Sequence, residues 1–177
     1  MWSGCLADGL PANRTAGGNG GGSADWLRLL RLYLALALVL NLAWEAGQLP
    51  LYSLWRTANA AELAWAVAHC LAGDLLIATA TLVVALLVAG TGGWPTEARN
   101  FRQVGLVATL LGIGYTIFSE WLNVAVRNAW AYSPAMPVIP GLDTGLSPLL
   151  QWILVPPAAL FGARRLALRT SARGGAA

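Results

Sequence analysis

An all-α bundle of four transmembrane helices is the fold class this sequence predicts, and three observations predict it. Only 11% of the 177 residues are charged, 57% are hydrophobic, and the mean hydropathy is +0.59. A water-soluble domain carries roughly 25% charged residues to solvate its surface, so this chain needs lipid as its solvent. Four apolar stretches each exceed the ~20 residues that cross ~30 Å of hydrocarbon. The eleven basic residues are all arginines, and they flank these stretches. That placement is the pattern of topology signals and anionic-lipid contacts. It therefore argues against nucleic acid as the partner of the +3 net charge.

Residues 1–25 are rich in Gly, Ala and Asn, with GGNGGG at 17–22, and read as a flexible, disordered leader. They do not read as a signal peptide, because the apolar stretch starts late. Trp44 and Glu45 also fall where cleavage needs small residues. The first helix is expected over 26–49, where Pro50 ends it. The second is expected over 62–89, stopped by GTGGWP at 90–95, and the third over 101–126. The fourth is expected over 147–166, with Pro156 and Pro157 kinking it and freeing carbonyls. This gives a transmembrane domain at 26–166 and an Arg-containing tail at 167–177.

Orientation follows from the arginines. Arg14, Arg28 and Arg31 precede the first span, Arg99 and Arg102 separate the second from the third, and Arg164, Arg165, Arg169 and Arg173 end the chain. The other side holds only Arg56 and Arg127. The positive-inside rule puts both termini in the cytoplasm of a multi-pass protein. The strings WEAGQLPLY (44–52), HCLAGDLLIA (69–78), YTIFSEWLN (115–123) and SPLLQW (147–152) are similar in style to small bacterial inner-membrane proteins, and that resemblance implies such a membrane. Aromatic residues give the same frame, with Trp44, Tyr52, Trp55, Trp65, Trp121, Trp130, Tyr132 and Trp152 in an outer belt and Trp26 and Trp94 at the inner interface. The third connection, 128–146, carries three prolines and two glycines. It reads as an irregular loop, either a plain connector or an apolar lid over the bundle.

Polar residues concentrate in one slab. Asn41, Glu45 and Gln48 recur at steps of four and three on one face of the first helix. Thr116, Glu120, Asn123 and Arg127 form a similar stripe on the third. The second contributes His69 and Asp74, and the fourth Gln151. At ~1.5 Å per residue, Glu45 and Glu120 lie roughly 24–28 Å from the cytoplasmic ends of their helices, and His69 and Asp74 about 10 and 18 Å below the outer end. Four helices thus bring polar groups to the outer half, while the inner half has almost none.

An ionisable group in a membrane costs about 2.5–3.5 kcal/mol on insertion scales, so it faces the bundle interior and pairs. Glu45, Glu120 and His69 are the candidate acid/base residues, and equally a candidate metal-ligand set. Gln48, Asn123, Gln151 and Asp74 are candidate substrate-orienting groups. Each has a plainer reading. Glu120, Asn123 and Arg127 could form a structural ladder, His69 could be a packed histidine, and Asp74 could pair helices. His69 and Asp74 are five residues apart, roughly 140° around a regular helix, so both cannot point at one centre. Gly105, Gly112 and Gly114 read as helix-packing sites.

Several chemistries are excluded. One histidine cannot give bis-histidine haem, and Cys5 and Cys70 lack CxxC spacing. Ser119 lies between Phe118 and Glu120, not in the GxSG of a rhomboid-type protease, and the basic and histidine motifs of lipid phosphatases are missing. No internal repeat supports an inverted-repeat transporter. Three functions remain: a membrane-embedded enzyme or cofactor- or metal-binding protein acting on a lipophilic small molecule, an accessory or assembly subunit with other membrane subunits as partners, and an oligomeric ion or solute transporter. The identity of any cofactor is not specified by these residues.

Overall fold

The computed structural model describes residues 19–174. Five helices follow in order: α1 (Asn19–Gln48), α2 (Leu54–Thr57), α3 (Ala60–Ala89), α4 (Ala98–Glu120) and α5 (Leu146–Gly174). A 3₁₀ turn (Leu49–Leu51) leads into α2, a π-helical turn (Trp121–Val126) extends α4, and a hairpin of β1 (Val138–Ile139) and β2 (Thr144–Gly145) precedes α5. Among the described residues, four helices are long and apolar enough to cross a membrane. The first begins seven residues before Trp26, inside the stretch expected to be disordered. The rest of that stretch, 1–18, lies outside the described residues, as does the end of the tail, 175–177.

Local chemistry sets the element ends. Asn59 caps α3, its Oδ1 accepting from the Ala61 and Glu62 amides at 2.9 and 3.0 Å. Glu62 reaches back to the Asn59 amide at 2.9 Å, completing a capping box. Gly90, at φ +81°, ends α3 in a conformation that a side chain disfavours. Helix α5 runs as one helix from Leu146 to Gly174 with Pro156 and Pro157 inside it. Both prolines lie in its middle, where α1 and α4 flank it and tertiary packing overrides the local penalty.

The long helices form a closed ring: α1 packs on α3 and α5, and α4 packs on the same two. The first and third spans are thus diagonal. One end of the ring carries Arg28, Arg31, Arg99, Arg102, Arg164 and Arg165 and is called here the arginine end. The other carries α2 and the 127–145 loop and is called the loop end. Toward the arginine end the core is apolar, built from Leu29, Tyr33, Ala37, Leu82, Phe101, Val104 and Leu160. Buried alanines (Ala37, Ala78, Ala85, Ala108, Ala159, Ala163) let the backbones approach, as membrane helices require. Arg164 closes this end by donating to the Pro95 and Thr96 carbonyls at 3.1 and 2.6 Å, with its guanidinium 4.6 Å from the Phe101 ring centre. The outward faces are apolar, with Leu76 71% and Leu87 78% exposed, a surface suited to lipid.

Candidate functional site

The α1 stripe Leu29, Tyr33, Ala37, Asn41, Glu45, Gln48 faces the bundle along its whole length, and all six residues are buried. It changes from apolar to polar at Asn41. Helix α3 supplies Asp74, one turn from the buried Ala78 and on the same inward stripe. Helix α5 supplies Ser147 and, one turn later, Gln151, which is 2% exposed.

These groups form one network with Gln151 at its centre. The Gln151 amide nitrogen donates to Asn41 Oδ1 at 3.0 Å, Glu45 Oε1 at 3.1 Å and Asp74 Oδ2 at 3.0 Å. Gln48 donates to Glu45 Oε1 at 2.9 Å and to Gln151 Oε1 at 3.3 Å. Ser147 donates to Gln48 Oε1 at 2.8 Å and accepts from the Trp44 indole at 3.2 Å. The chain Trp44–Ser147–Gln48–Gln151 thus carries polar contacts from the loop end to the carboxyls. Glu45 Oε1 and Asp74 Oδ2 stand on the same Gln151 nitrogen, each within 3.1 Å of it. Two carboxylates sharing one neutral donor in a low-dielectric interior repel when both are ionised, which favours a proton on the pair. None of the groups bonded to the pair is a cation.

A second cluster lies at the loop end. Glu120 accepts a hydrogen bond from the Tyr132 hydroxyl, which in turn accepts from the Gly145 amide at 2.8 Å. Tyr132 pairs with Tyr52 in an isolated antiparallel bridge, their rings 5.7 Å apart. Around it, Ser53 N donates to Ala131 O and Ser133 N to Leu51 O, both at 2.9 Å. The long loop is therefore tied to the first connection, to the end of α4 and to the start of α5, and Met136 and Thr144 are buried in it. This is the geometry expected of a lid rather than of a free connector. Burial pushes the hydroxyl pKa values of Tyr132 and Tyr52 upward. The hydrogen bond to Glu120 adds to the effect at Tyr132, and the charge of Glu120 adds to it at Tyr52.

No family model matches this chain, and no curated protein or solved structure is significantly similar to it. The site therefore stands on its own geometry. Of the residues expected to converge, Glu45, Gln48, Asp74 and Gln151 do so directly. Glu120 lies near enough to Glu45 for their charges to interact, but it bonds to the lid.

Two others do not join. His69 is exposed on the outer face of α3, its ring stacked on Trp65 with centroids 6.2 Å apart. It is therefore not brought to Glu45 and Glu120. Among the described residues no three His, Cys, Asp or Glu side chains stand close enough to hold a metal ion, so that ligand set is not assembled. Asn123 turns back to Ser119, donating to its carbonyl at 2.9 Å, and Arg127 reaches Asn123 at 3.5 Å. The ladder from Arg127 stops there. The cause is the π-helical turn, where the Arg127 amide bonds to Leu122 O at 2.8 Å, five residues back. The wider turn rotates Asn123 and Arg127 off the Glu120 stripe.

Trp44, Ser147 and Tyr132 were not among the sequence candidates. Ser147 precedes Gln151 by one turn, a spacing that could have revealed it. Tyr132 sits in an irregular loop, where no periodicity exists to reveal it.

Proposed function

We propose that this is an integral membrane protein of the bacterial inner membrane, with both termini cytoplasmic, in which Glu45 and Asp74 form an acid–base centre for a lipophilic substrate in the outer half of the bilayer. The observation that carries the reading is the placement of these two carboxyls on one glutamine donor, with no cation bonded to either among the described residues. Two anions in a low-dielectric interior are too costly to keep together. A carboxyl pair that retains a proton can donate it and take one back. Gln151, Gln48 and Asn41 hold the pair in place, and Glu120, bonded to the lid through Tyr132, is near enough for its charge to act on Glu45. His69 and Asn123 have no part in this centre.

Transport is the least favoured of the three functions, because the apolar plug toward the arginine end offers no polar path. The accessory-subunit reading has one observation in its favour: the network joins α1, α3 and α5 and would serve as interhelical glue. Glue does not need two acids, however, since amides bond across helices without the cost of a charge.

The test is the Glu45→Gln/Asp74→Asn double variant, which keeps the hydrogen-bonding shapes and removes the shared proton. It is expected to accumulate in the membrane at wild-type level and yet fail to restore the phenotype of a deletion strain. Infrared spectra of the purified protein should lose a protonated-carboxyl C=O band at neutral pH. Full restoration by the double variant would assign the pair to helix association.

A further inference from the structure

A groove of about 490 Å³ opens between α1 and α3 at the loop end. Its α1 wall is Leu42 and Leu49, and its α3 wall includes Ala64, Val67, Ala68 and Leu71. The volume is within the ~300–1,000 Å³ of small-molecule sites, and every residue named is apolar. Two observations connect it to the rest of the molecule. Glu45 lies on the adjoining, inward face of α1, between Leu42 and Leu49 in sequence, and Asp74 follows Leu71 by three residues on α3; both acids are buried and neither is part of the lining. The groove thus lies over the two helices that hold the carboxyl pair. At its mouth, α2 places Trp55 in the lining, and the next residue of that short helix is the exposed Arg56.

From this juxtaposition we propose that the groove binds one membrane phospholipid, an aliphatic chain between α1 and α3 and its phosphate on Arg56. This names the substrate class for the acid–base centre above and rests on that reading only for the chemistry, not for the binding. An α-helix with its side chains is roughly 10–12 Å across. Neighbouring helix axes pack about 8–10 Å apart. A flexible chain enters such a gap, whereas a partner helix rides over it. An indole at the mouth suits the headgroup level of a bilayer. A guanidinium there offers a charge-assisted, fork-shaped match to a phosphate. Among the described residues the arginines at this end are Arg56 and Arg127, and Arg56 is the one next in sequence to Trp55, which lines the groove.

Native mass spectrometry of the full chain in mild detergent, titrated with phosphatidylglycerol, tests this. Wild type is expected to retain one lipid. Ala64→Leu and, separately, Ala68→Leu fill the groove from a lipid-facing position and should weaken retention at least tenfold, with thermal stability unchanged. Arg56→Gln should weaken phosphatidylglycerol but leave diacylglycerol of the same chains, already weaker on the wild type, unaffected. Equal retention by wild type and both filled variants would overturn the groove as the site, and equal retention of the two lipids by wild type would overturn the phosphate contact. The Glu45→Gln/Asp74→Asn protein should retain the lipid as wild type does. Failure of the acid–base reading therefore shows in the infrared band and complementation, and failure of the lipid site shows only here.

Discussion

Gln151 occupies the position where one side chain decides the state of three others. Its nitrogen has two protons and faces three acceptors at 3.0–3.1 Å, so Asn41, Glu45 and Asp74 share what it offers. Gln151→Leu keeps approximate volume and leaves these acceptors without their donor. A buried polar group deprived of its partner costs about 1–3 kcal/mol, and a loss of at least that size is expected in unfolding measured in detergent. Adding Glu45→Leu and Asp74→Leu to the same protein should recover part of it, because two of the acceptors left unpaired are then removed while Asn41 and Gln48 remain. If the triple variant is no more stable than the single, the network is not the source of the loss. Tyrosines at the lid supply the pH dependence. Tyr132 and Tyr52 hold their protons more tightly in the folded state than in the unfolded one, where a tyrosine titrates near about 10. Their contribution is therefore complete below about pH 10 and lost as pH rises from there toward their folded values. The tyrosine contribution should be flat across neutral pH and fall in alkali, and Tyr132→Phe should reduce the alkaline slope.

At the level of single helices, close approach of α4 and α5 depends on Gly112. A Cβ there would enter the Trp152 ring, with Cζ3 2.7 Å away and Cδ2 at 3.3 Å, and Trp152 is itself buried. Gly105 is tight more mildly, 3.3 Å from Leu160 Cδ2, whereas Gly114 has open space around it. Overpacking typically costs 1–3 kcal/mol. Gly112→Ala should therefore cost on the order of 2 kcal/mol, and Gly114→Ala should be neutral or slightly stabilising, since alanine is the better helix former by about 1 kcal/mol. Comparable melting of the two variants would remove Gly112 from the packing role. The same helices show what a sequence can and cannot reveal. Long apolar runs with arginines at their ends made the four spans legible, and the Asn41–Glu45–Gln48 spacing made the α1 face legible, because both are properties of one helix. The orientation of α3 was not legible. It is apolar on nearly every face, so no stripe indicates which side is buried, and only the 140° between His69 and Asp74 said that one of them had to turn away. Nor was the π turn after Glu120 legible: an i→i+5 bond has no composition of its own, yet it removed Asn123 from the site.

Across the whole molecule, the polar network and the apolar plug divide the bundle into two halves with different chemistry. The carboxyls join α1 and α3 through a residue of α5, and the lid ties the connection after α1 to the end of α4 and the start of α5. Every long helix is thus fixed at the loop end by polar contacts and toward the arginine end by small-residue packing. The polar network opens toward one end of such a bundle, and the arginines predict which side of the membrane that end faces. Eight arginines of the described helices belong to one end, on α1, α4 and α5, against Arg56 and Arg127 at the other. Translocating that many cations is strongly disfavoured, whereas two are tolerated. Single cysteines placed at Gly141 in the lid and at Ala98 beside the arginine end, in a background with Cys5 and Cys70 changed to serine, make the orientation measurable. A membrane-impermeant maleimide added to intact cells is expected to label position 141 and to reach position 98 only after the membrane is opened. The reverse pattern would put the carboxyl pair on the cytoplasmic side, and the lipid that the α1–α3 groove meets would then come from the inner leaflet.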